Sequence, residues 1–152
     1  GLIATFGFSI APWLALQAVI GFVMLEVVNY IEHYGLLRAT TANGRYERCQ
    51  PQHSWNANNV ASNLALFQLQ RHSDHHANPT RRYQSLRNFE DVPQLPTGYA
   101  GMMVLATIPP LWRKVMDPRV IEFYGGDVTA ANIHPPKRAR VLAAHGRHHP
   151  GS

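Results

Sequence analysis

Three of the nine histidines in this chain fall within one run of six residues, Arg71-His72-Ser73-Asp74-His75-His76. On an α-helix His72 and His76 stand at i and i+4 on one face, and His75, at i+3 from His72, borders it. Neutral imidazoles converging in this way offer ring nitrogens that suit zinc, copper, iron or nickel. Clustered imidazolium ions would repel one another, and a bound metal removes that problem by holding the rings deprotonated. Asp74 does not share the face; it is placed to accept the second ring N–H of a neighbouring ligand. The competing reading of the run is a solvated His-rich turn. The single Cys49 excludes an internal disulfide and any Cys-rich metal site.

A second constellation is Asn29-Tyr30-Ile31-Glu32-His33-Tyr34-Gly35-Leu36. Counting back from His33 by 4, 7, 8 and 11 places Asn29, Glu26, Leu25 and Phe22 on its helical face. Ionisable groups at membrane depth are costly and face a bundle interior or a site, so Glu26, Asn29 and His33 are expected to form one polar stripe pointing inward. The alternative for Glu26 is an interfacial position from which it snorkels to water. Glu32, beside His33, is expected near the ligands or as a cap for a neighbouring group.

The elements that must position these groups begin with an apolar one. Residues 1–25 carry no charge, and an apolar run longer than about 18 residues reads as a membrane-spanning helix. Gly1 to about Tyr34 is expected as a single long helix, bent near Pro12. It lacks the basic start and small-residue cleavage site of a signal peptide. Arg38, Arg45 and Arg48 follow directly, which puts the end after Leu36 in the cytoplasm. The stretch TTANGRYERCQPQHSWNANN reads as a loop. NVASNLALFQLQRHSDHHAN reads as one helix, capped by Asn58, Asn59 or Ser62 and ended by Asn78-Pro79. GMMVLATIPPLW is apolar, but too short to span and broken by Pro109-Pro110; it suits the membrane interface, with Trp112, Arg113 and Lys114 as anchors. From Met116 onward the chain is polar, basic and Pro-rich, and is expected to be loosely ordered.

The fold class implied is all-α. One transmembrane helix (1–37) is followed by a helical and irregular cytoplasmic region with the histidine helix (38–115) and a basic tail (116–152). The net charge is +5, with all 14 basic residues at or after Arg38. That charge is scattered and carries no nucleic-acid-binding motif, so no nucleic-acid partner is expected. The chain does not begin with Met, which suggests a piece of a longer one.

NYIEHYGL together with LQRHSDHHA resembles the third and fourth histidine motifs of the bacterial membrane alkane monooxygenases. HSWNANN and VPQLPTGYAGM also look like that family, and the resemblance runs from Phe6 to Val141. The HxxHH part is shared with membrane desaturases, and NYIEHYGL also resembles the xylene-type monooxygenases. The resemblance implies iron ligation by His33, His72, His75 and His76 in a non-haem di-iron centre. It implies terminal hydroxylation of medium-chain n-alkanes with O2, in the bacterial inner membrane. Electrons would come from rubredoxin and its NADH-dependent reductase, since nothing here resembles a flavin or nicotinamide site. Phe22 and Leu25 become candidates for a substrate-channel wall. The cationic surface of Arg38, Arg45, Arg48, Arg81, Arg82 and Arg87 becomes a docking patch for an acidic carrier or, alternatively, a contact with lipid headgroups. The family's upstream HExxHK-like and EHxxGHH-like motifs are absent, so this chain by itself is expected to be inactive. A related membrane di-iron enzyme and a non-catalytic membrane metal-binding protein are the remaining alternatives. If the two motifs share one site, His33 should lie within about 10 Å of the nearest of His72, His75 and His76. His53 is expected to be structural or exposed, and His134, His145, His148 and His149 carry weaker claims.

Overall fold

The computed structural model describes residues 1–145, so His148 and His149 lie outside the described residues. Among these residues the chain is helical, and its extended pairing is limited to two isolated bridges, Thr40 with Tyr46 and Asn56 with Gln94. The helices are α1 (Leu2–Phe6), α2 (Ala11–His33), α3 (Val60–Ala65), α4 (His72–Ala77), α5 (Tyr99–Ala106), α6 (Pro109–Phe123) and α7 (Pro135–His145).

The expected single N-terminal helix is interrupted once. Gly7, at φ +76°, ends α1, and a 3-10 turn, Phe8–Ile10, leads into α2. Gly reaches this left-handed backbone without the steric cost a Cβ brings. Pro12 lies in the first turn of α2, where its missing N–H and fixed φ suit a helix start. Phe8–His33 is long and apolar enough to cross a membrane; 26 residues rise about 39 Å against a hydrocarbon core of about 30 Å. Its apolar window is exposed on all sides, as expected of a helix whose solvent is lipid.

The end of α2 is held by the loop that follows. The Trp55 backbone N–H donates to the Glu32 carbonyl at 2.8 Å, and the Trp55 indole N–H donates to the Tyr34 carbonyl at 2.8 Å. Carbonyls that a helix end leaves without partners are thereby satisfied. Gly35 turns the chain at φ +71°, and a Cβ there would stand 2.6 Å from a Val120 methyl carbon.

The helix expected over Asn59–Ala77 is two short helices with a kinked turn between them. Phe67 and Gln68 have positive φ. Gln70 is fully buried; its side-chain oxygen accepts from the Tyr99 backbone N–H at 2.9 Å, and its carbonyl accepts from the Ala57 N–H at 3.1 Å. Buried polar groups take the partners that the fold offers, and these long-range bonds outweigh the local preference for a continuous helix.

The expectation of a loosely ordered chain from Met116 onward is also corrected. α6 runs through Phe123 and buries Trp112, Met116 and Val120 at successive i+4 positions. They join Ile31, Leu36, Trp55, Leu95, Tyr99 and Met102 in one core. The periodic apolar face is short and embedded in a basic sequence, so bulk polarity conceals it. This core sits at the C-terminal end of α2, beside the histidines.

Candidate metal site

His33, on the last turn of α2, meets the α4 histidines across the Ala39–Asn59 loop. Ring centroids are 5.5 Å apart for His33 and His72, 5.3 Å for His33 and His76 and 4.2 Å for His72 and His76. One ring nitrogen from each of these three lies within 4.8 Å of the others. The approach of His33 to the HxxHH run is therefore seen. His75 stands at the edge of the group, its ring 5.9 Å from that of His72 and 6.0 Å from that of His76.

Each ring is held differently. The His33 Nδ1–H donates to the His53 carbonyl at 2.9 Å. A carbonyl only accepts, so this bond places the proton on Nδ1 and leaves the Nε2 lone pair available to a cation. His53 is itself buried and structural: its Nδ1 accepts from the Gln50 backbone N–H at 3.0 Å, and its Nε2 lies 3.2 Å from Glu47. The part His53 plays in the site is not legible in the sequence, because a backbone acceptor leaves no trace in side-chain type.

His72 is buried, and neither ring nitrogen makes a hydrogen bond. Glu32 Oε2 lies 3.0 Å from His72 Nε2, close enough for attraction but without hydrogen-bond geometry. Burial, then the neighbouring His76, His33 and His75, push the His72 imidazole down to about 2, and burial with His33 and His75 nearby also lowers that of His76. Both effects favour the neutral form of His72 and His76, the state in which imidazole binds metal. An orphaned buried nitrogen is costly, and a cation among three converging imidazoles would relieve that cost. The donor set fits a metal ion.

Among the acidic residues expected near the site, Glu32 alone reaches a histidine. Its other oxygen, Oε1, accepts from the Tyr99 hydroxyl at 2.8 Å. Asp74 is corrected: it faces away from the rings, and its carboxylate accepts from Asn78 Nδ2 at 2.8 Å, Arg81 Nη1 at 2.7 Å, the Arg87 backbone N–H at 2.9 Å and Arg87 Nη2 at 3.2 Å. Burial alone would raise this carboxyl, but the hydrogen bonds from Arg87, Asn78 and Arg81 hold it at about 2. Asp74 anchors α4 instead of orienting a ring, because a position two residues after His72 lies across the helix from it. The outer residues of the expected inward stripe are uncovered among the described residues. Glu26 and Asn29 are exposed, as are Phe22 and Leu25, since no described element packs over that side of α2.

Asn56 and Ser73 lock α4 in place. The Ser73 N–H donates to Asn56 Oδ1 at 2.9 Å, the Asn56 amide donates to Ser73 Oγ, and the Ser73 hydroxyl donates to the Pro51 carbonyl at 2.6 Å. Asn56 and Tyr99 lie within HSWNANN and VPQLPTGYAGM, and the family resemblance of those two stretches is the signal of their roles that the sequence carries.

A family model described as fatty acid desaturase matches residues 1–106. The chain belongs to the fatty acid desaturase family. Within it the chain is 57% identical over 145 residues to the alkane 1-monooxygenase of Acinetobacter baylyi, a match covering 95% of this chain and 36% of that protein. It is 51% identical to the alkane 1-monooxygenase of Ectopseudomonas oleovorans over the same shares of each chain. A weaker match, 30% over 92 residues, covering 59% of this chain and 22% of the relative, is to the xylene/toluene monooxygenase hydroxylase component of Pseudomonas putida. The chain spans about a third of the length of the alkane 1-monooxygenases it matches, 36% in the first case.

Proposed function

We propose that this chain is the part of a membrane-bound, non-haem di-iron alkane 1-monooxygenase that carries its last histidine motifs. The observation that carries the reading is the convergence of His33, His72 and His76 at the end of an apolar helix, in a chain whose relatives include alkane 1-monooxygenases. The reaction inserts one oxygen atom of O2 into a terminal C–H of a medium-chain n-alkane and reduces the other to water, using two external electrons and two protons. Iron, when bound, supplies the oxygen activation that no side chain can perform.

The chain's own residues supply the setting. His33, His72, His75 and His76 are the ligands, with His33 aimed by the His53 carbonyl. Glu32 stands against His72. Asp74 fixes α4 through the arginines, while Glu26 and Asn29 complete the polar surroundings once the rest of the enzyme covers α2. Phe22 and Leu25 then line the path by which an alkane enters from the bilayer. These histidines are too few for two irons, so the chain alone is inactive.

The enzyme lies in the bacterial inner membrane with the site on the cytoplasmic side. Rubredoxin, recharged by its NADH-dependent reductase, donates there. Arg81 and Arg87 are engaged by Asp74 and Arg38 by the Glu47 carbonyl; Arg45, Arg48 and Arg82 remain the docking cations. The similarity to a xylene/toluene monooxygenase component supports one second reading, hydroxylation of an aromatic methyl group.

The test is His33→Ala in the full-length protein, assayed in membranes with n-octane and with toluene. Loss of hydroxylation with normal membrane insertion is the expected result. Retained activity removes His33 from the site, and turnover of toluene alone moves the substrate to the second reading.

A further inference from the structure

Tyr99 touches both halves of the histidine site without being near either in sequence. Its hydroxyl donates to Glu32 Oε1 at 2.8 Å across 67 residues. Its backbone N–H donates to Gln70 Oε1 at 2.9 Å, two positions before His72. All three side chains are buried to within 1% of full enclosure. The second carboxylate oxygen of Glu32 lies 3.0 Å from His72 Nε2. Tyr99 Oη is the hydrogen-bond donor to the Glu32 carboxylate among the described residues, so the hydroxyl sets which oxygen is left to face His72.

We propose that Tyr99 is a positioning residue for the metal site: it aims the Glu32 carboxylate at His72 and, through Gln70, ties α5 to the start of α4. The inference rests on the metal-site reading above. Removing the hydroxyl leaves the ring packed in the core but strands a buried carboxylate oxygen, which is costly. The carboxylate must then rotate toward another donor, and the ring it faces loses its fixed surroundings. Groups that orient ligands from behind typically contribute about 10–100-fold in metal affinity.

The experiment uses the full-length protein in its membrane, loaded with ferrous iron and titrated with a competing chelator, with the Mössbauer spectrum of the loaded protein as a second readout. Tyr99→Phe should weaken iron retention about 10-fold or more and alter the spectrum. Glu32→Gln should do the same, and the double variant should lose no more than Glu32→Gln alone, because the two residues act through one group. Wild-type retention and spectrum in Tyr99→Phe overturn the proposal, as do losses that add in the double variant. If Tyr99→Phe does not accumulate, Glu32→Gln decides: an unchanged spectrum there overturns it equally. Wild-type protein that retains no iron, or retains it equally with His33→Ala, refutes the metal-site reading itself, and the two failures are thereby told apart.

Discussion

Asp74 and His72 sit two residues apart and respond to acid in the same direction for different reasons. The folded Asp74 carboxyl titrates at about 2, whereas in an unfolded chain it would titrate near 3.9. The unfolded state therefore binds more protons in that interval, and the stability Asp74 contributes is full above about pH 4 and is lost as pH falls toward 2. The folded His72 ring stays neutral down to about 2, against an ordinary value near 6.5. Its contribution is full above about pH 6.5 and declines steadily below it. Acid titration of metal-free protein, followed by circular dichroism, should show destabilisation beginning near pH 6.5 and steepening below 4. Asp74→Asn should remove the steeper part and leave the earlier one. At neutral pH, Asp74→Ala strips the acceptor from Arg81 and Arg87 and should cost about 3 kcal/mol, measured by thermal melting. Had Asp74 held a ring, iron affinity would fall more than stability; here stability falls first.

At the scale of elements, the turn after α2 decides whether His33 meets α4 at all. Gly35 combines a left-handed φ of +71° with a 2.6 Å approach of any Cβ to Val120. Gly35→Ala should cost about 1–2 kcal/mol from backbone strain and a further 1–3 kcal/mol, roughly, from overpacking. Val120→Ala in the same protein should recover part of the second contribution and none of the first. Protease sensitivity of the Leu36–Thr41 segment provides the measurement, and a tolerated Gly35→Ala would show that the turn is not what seats His33. Gly35 stands in the NYIEHYGL run without a role of its own in the sequence, because the partner that makes it necessary, Val120, lies 85 residues away.

For the whole molecule, an exposed apolar α2 joined to a buried polar cluster makes a two-solvent protein. Its lipid-facing residues have no aqueous role, so Ile20→Arg, exposed near the middle of the span and across the helix from Phe22, should disfavour insertion by about 3 kcal/mol. Membrane fractionation of the full-length protein, with glycosylation-site mapping of the segment after Leu36, checks both insertion and sidedness. Insertion unaffected by Ile20→Arg would argue that this face of α2 too is engulfed by protein in the assembled enzyme.

The all-helical class, the apolar span and the i, i+3, i+4 histidines were determined by the sequence itself, because each is a matter of local periodicity and composition. His33 reaching His72 and His76 was likewise expected from the pairing of two motifs. Tertiary structure alone decided the rest. Glu32, not Asp74, faces a ring; Gln70 breaks the expected long helix to reach α5; Trp112, Met116 and Val120 form a core within a basic segment; and the His53 carbonyl sets the tautomer of His33. Each of these depends on a hydrogen bond or packing contact between residues far apart in the chain, whose energy outweighs the local preferences that a sequence displays.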